Sequence, residues 1–297
     1  SSSIPVNASS SIPVNASSNF NFVAVGDWGC SSNAEDTVEN IIDIDPELVI
    51  ALGDLSYNDK ETECWFELIE PIAERTKITI GNHELDTSKK LRDYMDFFGL
   101  EKQYYSFNYS NIHFIVLSAE IPYDEDSDQH EFVIRDLEKY SNDSSIDWIV
   151  ALFHRQFYNA AEGANNDEEF RKVYHPLFDK YKVDLALQAH LHAYERTYPI
   201  KFNIVIEDQP VIQDKHPNIY QNPNGPIFVT VGTGGAYAMS LSNDEPFSVI
   251  AIDEKFGVLE MDVENNNENG SKILKGKFIE NKKREILDEF EIKKNYK

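Results

Sequence analysis

Residues 49–54 read VIALGD, a β-branched apolar run that stops at a glycine and an aspartate. Four more runs break off at comparable residues: VAVGD at 23–27, ITIGNH at 78–83, IVALFH at 149–154 and VDLALQAHLH at 183–192. Short, continuous apolar runs bounded by glycine are what strands buried on both faces of an α/β sheet look like. Ligands in such sheets gather outside the carboxyl ends of the strands. The five strand ends are therefore expected to bring Asp27, Asp54, Asn82, His83, His154, His190 and His192 into one crevice.

Helical segments are expected between the runs, at 33–43 with Asn33 as cap, 62–75, 87–98 with Thr87 or Ser88 as cap, 128–140 and 167–181. Residues 104–109 and 113–118 read as an antiparallel pair around Ser110 and Asn111. This alternation up to residue 190 favours α/β layers over an all-β sandwich. Beyond it the chain is strand-like at 227–231, 248–253, 258–263, 272–279 and 285–292, with Asn269-Gly270 as a hairpin signal. This last third is expected to form a second sheet packed on the first, within the same domain.

Composition narrows the partners. The 297 residues carry 52 acidic against 27 basic side chains, a net charge of −25, whereas nucleic acid and anionic membranes demand a basic surface. No apolar run reaches the roughly 18 residues that a membrane span needs. A hydrophobic content of 41% suffices for a substantial core. Residues 2–9 and 10–17 both read SSIPVNAS, so 1–18 is expected to be a disordered Ser-rich repeat leader to one catalytic domain at 19–297. The start at Ser1 lacks a charged segment followed by an apolar stretch, so any export signal is expected to have been removed or to lie upstream. Sequons at Asn7, Asn15, Asn108, Asn142 and Asn269 permit glycosylation only in a secretory setting. Cys30 and Cys64, the two cysteines, fit either a disulfide near the crevice or two inert thiols.

A dinuclear metal centre needs a bridging anionic oxygen and further donors around each ion, with positions left for water and substrate. Asp27 and Asp54 offer carboxylates, Asn82 a carbonyl oxygen, His154, His190 and His192 imidazoles, and Tyr57 a phenolate. His190 and His192 would point the same way on an extended strand, or diverge to different ions at a strand end. GDWG at 26–29, GDLSYND at 53–59, GNHE at 81–84, His154 after its strand and AHLHAYERT at 189–197 resemble the ordered motif set of calcineurin-like metallophosphoesterases, in the purple acid phosphatase branch. The motif set covers residues 20 to about 200, and GTGG at 232–235 is similar to that family's C-terminal part.

The resemblance implies an α/β fold, a four-layer α/β/β/α sandwich of two mixed sheets flanked by helices, with the dinuclear site at the C-terminal ends of strands. It assigns Asp27, Tyr57 and His192 to a trivalent iron, Asn82, His154 and His190 to a divalent Fe, Zn or Mn ion, and Asp54 to the bridge between them. It implies hydrolysis of phosphate monoesters by a metal-bound hydroxide, with Asn82 and His83 binding phosphate and His83 protonating the leaving group. A small phosphorylated substrate and a secreted or cell-surface location follow from the same likeness.

The chain also departs from the family pattern. The loop after His154 reads RQFYNAAEG and lacks the further histidines that face phosphate in plant relatives, and Ala189 replaces the usual glycine. Arg155 would either clamp phosphate through its planar donor fork or pair with an acidic neighbour. Trp28 and Trp65 are expected to pack near the crevice, and Glu195 and Arg196 to pair below it. His113, His130, His175 and His216 fall outside the pattern. Two other functions compete: a phosphodiesterase or nucleotide hydrolase using the same centre, and a binding protein with a decayed site. The complete ligand set argues against the second.

Overall fold

Alternation within a buried run decides which core each of its faces joins. In the computed structural model, which describes residues 19–57, 62–160, 167–241, 245–266 and 271–295, the elements follow one another as β1 (Phe20–Val25), α1 (Ser32–Ile44), β2 (Leu48–Ala51), α2 (Glu63–Ile69), β3 (Thr76–Ile78), α3 (Ser88–Phe98), β4 (Tyr105–Tyr109), β5 (Ile112–Val116), α4 (Asp128–Tyr140), β6 (Trp148–Arg155), α5 (Glu168–Tyr181) and β7 (Leu185–Ala189). Then come β8 (Tyr194–Thr197), β9 (Ile200–Lys201), β10 (Val211–Ile212), β11 (Ile219–Gln221), β12 (Ile227–Val231), β13 (Ser248–Ile252), β14 (Gly257–Asn266), β15 (Ser271–Glu280) and β16 (Ile286–Asn295). The expected leader at 1–18 lies outside the described residues, as does the turn at Asn269-Gly270. The strands flanking that turn do pair antiparallel, Asn266 opposite Ser271.

Two seven-stranded mixed sheets result, ordered β11-β16-β15-β14-β1-β2-β3 and β13-β8-β12-β7-β6-β5-β4. Trp148, Val150 and Leu152 on one face of β6 join the large core with Phe22, Val25 and Met261 of the opposing sheet. Ile149, Ala151 and Phe153 on its other face join a second core with Val133 and Leu137 of α4 and Phe170, Tyr174 and Phe178 of α5. This two-fold periodicity is what makes β6 the middle of a layered stack. α1 packs on β14 of the first sheet, and Trp65 of α2 and Tyr94 of α3 bury their rings edge-to-face at 5.7 Å. The molecule is thus an α/β sandwich of two mixed sheets with helices on the outer faces.

The distribution of strands differs from the expectation in one important respect. The last third does not make a sheet of its own: β14, β15 and β16 extend the first sheet from the open edge of β1, while β12 and β13 enter the second. The five apolar runs are divided likewise, β1, β2 and β3 in one sheet and β6 and β7 in the other. Smaller differences have local causes. The segment expected as one helix at 62–75 breaks after Ile69 into a 3₁₀ stretch, Glu70–Arg75, where Pro71 removes an amide donor. Ser31, not Asn33, takes the cap position of α1. The Cys30 and Cys64 thiols are joined in a disulfide, tying the loop after β1 to the first turn of α2.

Glu195 and Arg196 do not pair with each other, because successive strand residues point to opposite faces. The Arg196 guanidinium spans the sheets to Asp288 on β16, with contacts of 2.6 and 2.8 Å, and its remaining nitrogen reaches Tyr220 and the Pro217 carbonyl. Both partners are buried. Asp288→Ala is expected to cost about 3–5 kcal/mol, because it leaves a buried guanidinium uncompensated. Urea unfolding checks this, and a loss under about 1 kcal/mol would contradict it.

Candidate metal centre

The crevice forms where the carboxyl ends of β1, β2 and β3 meet those of β6 and β7 across the two sheets. Asp27, Asp54 and His190 each sit just past a strand end with positive φ, 58°, 49° and 68°. That left-handed conformation costs a non-glycine residue about 1–2 kcal/mol and turns the side chain sharply out of the strand direction. It is retained here because the surroundings over-determine it.

Close backbone approach is the second requirement. Gly53 has φ +81°, and a Cβ on it would stand 2.8 Å from the Gly81 amide nitrogen and 2.8 Å from His154 Nδ1. A Cβ on Gly81 would run into the Asp54 carboxylate. The glycines in the motifs 53–54 and 81–83 therefore allow the ends of β2, β3 and β6 to meet. Loops from the two sheets are further laced together by Gly26 N–H to Val231 O at 2.8 Å, Gly234 N–H to Gly26 O at 2.9 Å and Ala236 N–H to Asp27 O at 3.0 Å. The GTGG stretch at 232–235 permits this approach, since a Cβ on Gly234 or Gly235 would stand 2.6 Å from the Gly26 or Trp28 carbonyl oxygen.

Two clusters of donors result. In the first, the Tyr57 hydroxyl donates to Asp27 Oδ1 at 2.9 Å and lies 2.9 Å from His192 Nε2, which is itself 3.2 Å from Asp27 Oδ1. In the second, Asp54 Oδ2 is 3.2 Å from His154 Nε2, which is 3.2 Å from His190 Nδ1. One donor atom from each of Asp54, His154 and His190 lies within 4.8 Å of the others. His190 and His192 thus diverge, one to each cluster, because the chain leaves its strand conformation after Ala189. Asn82 Oδ1 beside them is buried without a hydrogen-bond partner, an expensive state for a carbonyl oxygen unless a cation accepts it.

Tautomers are set from behind. His154 Nδ1 lies 2.8 Å from the Leu52 carbonyl and His192 Nδ1 lies 2.7 Å from the Tyr237 carbonyl. Each carbonyl can only accept, so Nδ1 carries a proton and Nε2 is the nitrogen left to face the crevice. Charge is distributed unevenly. Burial opposes ionisation of Asp54, yet the neighbouring His154 and the His83 amide hold its carboxyl well below the usual carboxylate range. Burial, then the Asp27 and Asp54 charges, push the Tyr57 phenol far above its ordinary value. Burial and the adjacent His154 depress His190 to about 4.

Glu84 is the residue that sequence reasoning did not single out. Fully buried, it accepts the Asp54 and Gly81 amides on one oxygen at 2.8 and 2.7 Å and the Leu55 amide on the other at 2.8 Å. Burial, followed by the Asp54 charge, raises its pKa to about 7. The GNHE motif contained the signal, since an acid three residues after a turn glycine can reach back to the turn's own amides. His83 lies at the rim, 35% exposed, with Nδ1 3.3 Å from Asp86 and Nε2 3.9 Å from Asp54. Arg155, the last residue of β6, pairs with Glu120. Trp28 and Trp65 are buried and meet edge-to-face, as expected of packing residues.

Glu84→Gln should destabilise the protein by more than about 2 kcal/mol, because a carboxamide offers one acceptor where amides converge on two oxygens. Chemical denaturation gives the value; a change below about 0.5 kcal/mol would show that the three amides do not depend on Glu84.

Comparison with known proteins agrees with this geometry. The calcineurin-like phosphoesterase family matches residues 20–194. Purple acid phosphatase 22 of Arabidopsis thaliana is 28% identical over 253 residues, 77% of this chain and 54% of that protein. A phosphoenolpyruvate phosphatase of Allium cepa is 28% identical over 73% of this chain and 49% of its own length. The chain therefore spans about half the length of these curated relatives. A purple acid phosphatase from yellow lupin seeds superposes with a TM-score of 0.79 at 25% identity, covering 96% of this chain and 55% of that one. An inner-membrane-complex anchor protein of Plasmodium shares the fold alone, with a TM-score of 0.66 at 16% identity over 94% of this chain and 89% of that one. The chain belongs to the calcineurin-like phosphoesterase family, and within it is similar to the purple acid phosphatases.

Proposed function

We propose that the protein is a metal-dependent acid phosphatase acting on small phosphate monoesters through a dinuclear Fe(III)–M(II) centre, M being Fe, Zn or Mn. The observation that carries this reading is the pair of donor clusters beside the unpartnered Asn82 Oδ1. Asp27, Tyr57 and His192 would hold the trivalent ion, since phenolate and carboxylate favour a hard cation. Asn82, His154 and His190 would hold the divalent ion, and Asp54, which faces His154 through Oδ2, would bridge. The Tyr57 proton, held on by burial and by two carboxylates, would leave when a trivalent ion binds. Bound together, two such ions supply Lewis acidity toward phosphoryl oxygens and a water acidified well below its bulk pKa.

The chain's own groups supply the remaining functions. Asp86 holds His83 by Nδ1, which leaves Nε2 directed toward the crevice as a donor to phosphate or to the departing alcohol. Glu84, through the Gly81 amide, and Asp54, through the His83 amide, fix the turn from which His83 projects. Arg155 offers a second cationic donor across the crevice. A disulfide beside the site fits an oxidising, extracytoplasmic location, and no helix among the described residues is long and apolar enough to cross a membrane.

Metal analysis of purified protein is expected to give two ions per chain, with a violet charge-transfer band that Tyr57→Phe removes. His83→Ala should lower kcat about a hundredfold while leaving metal content unchanged. Rates on p-nitrophenyl phosphate should exceed those on its bis ester. Preference for the bis ester would transfer the site to phosphodiester chemistry, and failure to retain any transition metal after reconstitution would refute the metallophosphatase reading.

A further inference from the structure

We infer that Glu120 is a positioning residue that aims the Arg155 guanidinium at the substrate phosphate, and that this tethered clamp favours monoesters over diesters. The inference rests on the phosphatase reading and deepens it. A bulge in β6 is the starting point: Leu152 pairs with Leu187, but Arg155 pairs with Ala189, so β6 uses one residue more than β7 over this interval. In regular register Arg155 would stand opposite His190. The extra residue sets Arg155 beside Ala189 at the lip of the crevice, a common use of bulges next to active sites. Arg155 directly follows His154 on β6.

Arg155 donates through Nε to Glu120 Oε1 at 2.5 Å. This contact uses one edge of the guanidinium. The fork formed by its two terminal nitrogens has no other partner among the described residues, and the side chain remains 31% exposed. A guanidinium held by Nε is restricted to one plane, which converts a flexible cation into an oriented pair of donors.

The anchor is itself anchored. Glu120 lies on the loop after β5, and its amide donates to Ser118 Oγ at 3.1 Å. Ser118 is buried and clasped by Gln129 of α4, whose amide group accepts from Ser118 N at 2.8 Å and donates to Ser118 O at 2.9 Å, while Ser118 Oγ donates to Gln103 at 2.9 Å. Committing buried amide groups to a loop residue restricts how Glu120 can move. A surface ion pair kept only for solubility would not require such support.

The chemistry then selects the substrate. A monoester presents three unsubstituted oxygens and can keep one for a guanidinium fork after two are engaged elsewhere. A diester has two in total and cannot satisfy both. The loop after His154, at 155–163, carries no histidine that could contact phosphate in place of Arg155.

The test uses the metal-loaded protein and the variants Glu120→Ala, Glu120→Gln, Arg155→Ala and the Glu120→Ala/Arg155→Ala double. Glu120→Ala should raise KM for p-nitrophenyl phosphate and Kd for inorganic phosphate about three- to tenfold, with kcat within about twofold. Arg155→Ala should give at least that loss, and the double variant should equal Arg155→Ala. Glu120→Gln, whose amide oxygen accepts the same N–H, should stay within about twofold of the unaltered protein. Hydrolysis of the bis ester should be little changed in all four.

Wild-type KM and Kd in Glu120→Ala would overturn the proposal. So would an undiminished penalty of Glu120→Ala in the Arg155→Ala background, or equal losses on mono- and diester. If the unaltered protein hydrolyses neither ester, the phosphatase reading fails, and the phosphate affinities of the same proteins still decide whether Glu120 aims Arg155.

Discussion

Two carboxylates buried at adjoining strand ends set the terms for everything around them. Asp27 is fully inaccessible and Asp54 is 1% exposed, and a buried carboxylate is tolerated only if its oxygens are matched. Asp27 takes the His190 amide at 2.8 Å on one oxygen and the Tyr57 hydroxyl at 2.9 Å on the other. Asp54 takes the His83 amide at 2.9 Å and faces His154 at 3.2 Å. Every one of these partners comes from a different strand end or the loop that follows it. The electrostatic requirement of the site is therefore also a tertiary restraint that holds the carboxyl edges of two sheets together.

Much of this could be read in the chain because the relevant signals are local. An apolar run, a glycine and a polar residue specify a buried strand, a turn and a projecting side chain within six residues, and the helices around them carry their own caps, Thr87, Ser127 and Asp167, each accepting an amide from the first turn. The partition of the runs between two sheets was not legible. β2 and β7 are both buried throughout, and only pairing partners far away in sequence decide which sheet each enters. The fate of β14–β16 was hidden for the same reason, since a strand pattern does not say which open edge it will complete.

The parts of the site that escaped sequence reasoning share a physical character. Glu84, the Tyr237 carbonyl and Glu120 contribute no donor to the crevice; they hold groups that do. Their partners are backbone amides, a ring nitrogen and a guanidinium; only the amides held by Glu84 leave a spacing cue, the glycine three residues before it. Arg155 illustrates the limit well. Its type and its place after His154 left clamp and ion pair as alternatives, and the structure contains the ion pair in a form that leaves a donor fork exposed. An ion pair through Nε and a phosphate contact through the terminal nitrogens are compatible, so the two alternatives were never exclusive.

The surface adds a constraint that the site must overcome. A net charge of −25 repels a phosphate dianion at long range, by an amount that salt reduces. Attraction has to come from within a few ångströms, where low dielectric makes each charge count for more. Among the described residues, His83 and Arg155 directly follow Asn82 and His154 in the chain, and both are held by carboxylates, Asp86 and Glu120. Such carboxylates reduce the net positive charge of the rim, so their value cannot lie in attraction. It lies in geometry: a fixed donor loses little freedom on binding, whereas a stronger but mobile cation would surrender part of its interaction energy to being ordered.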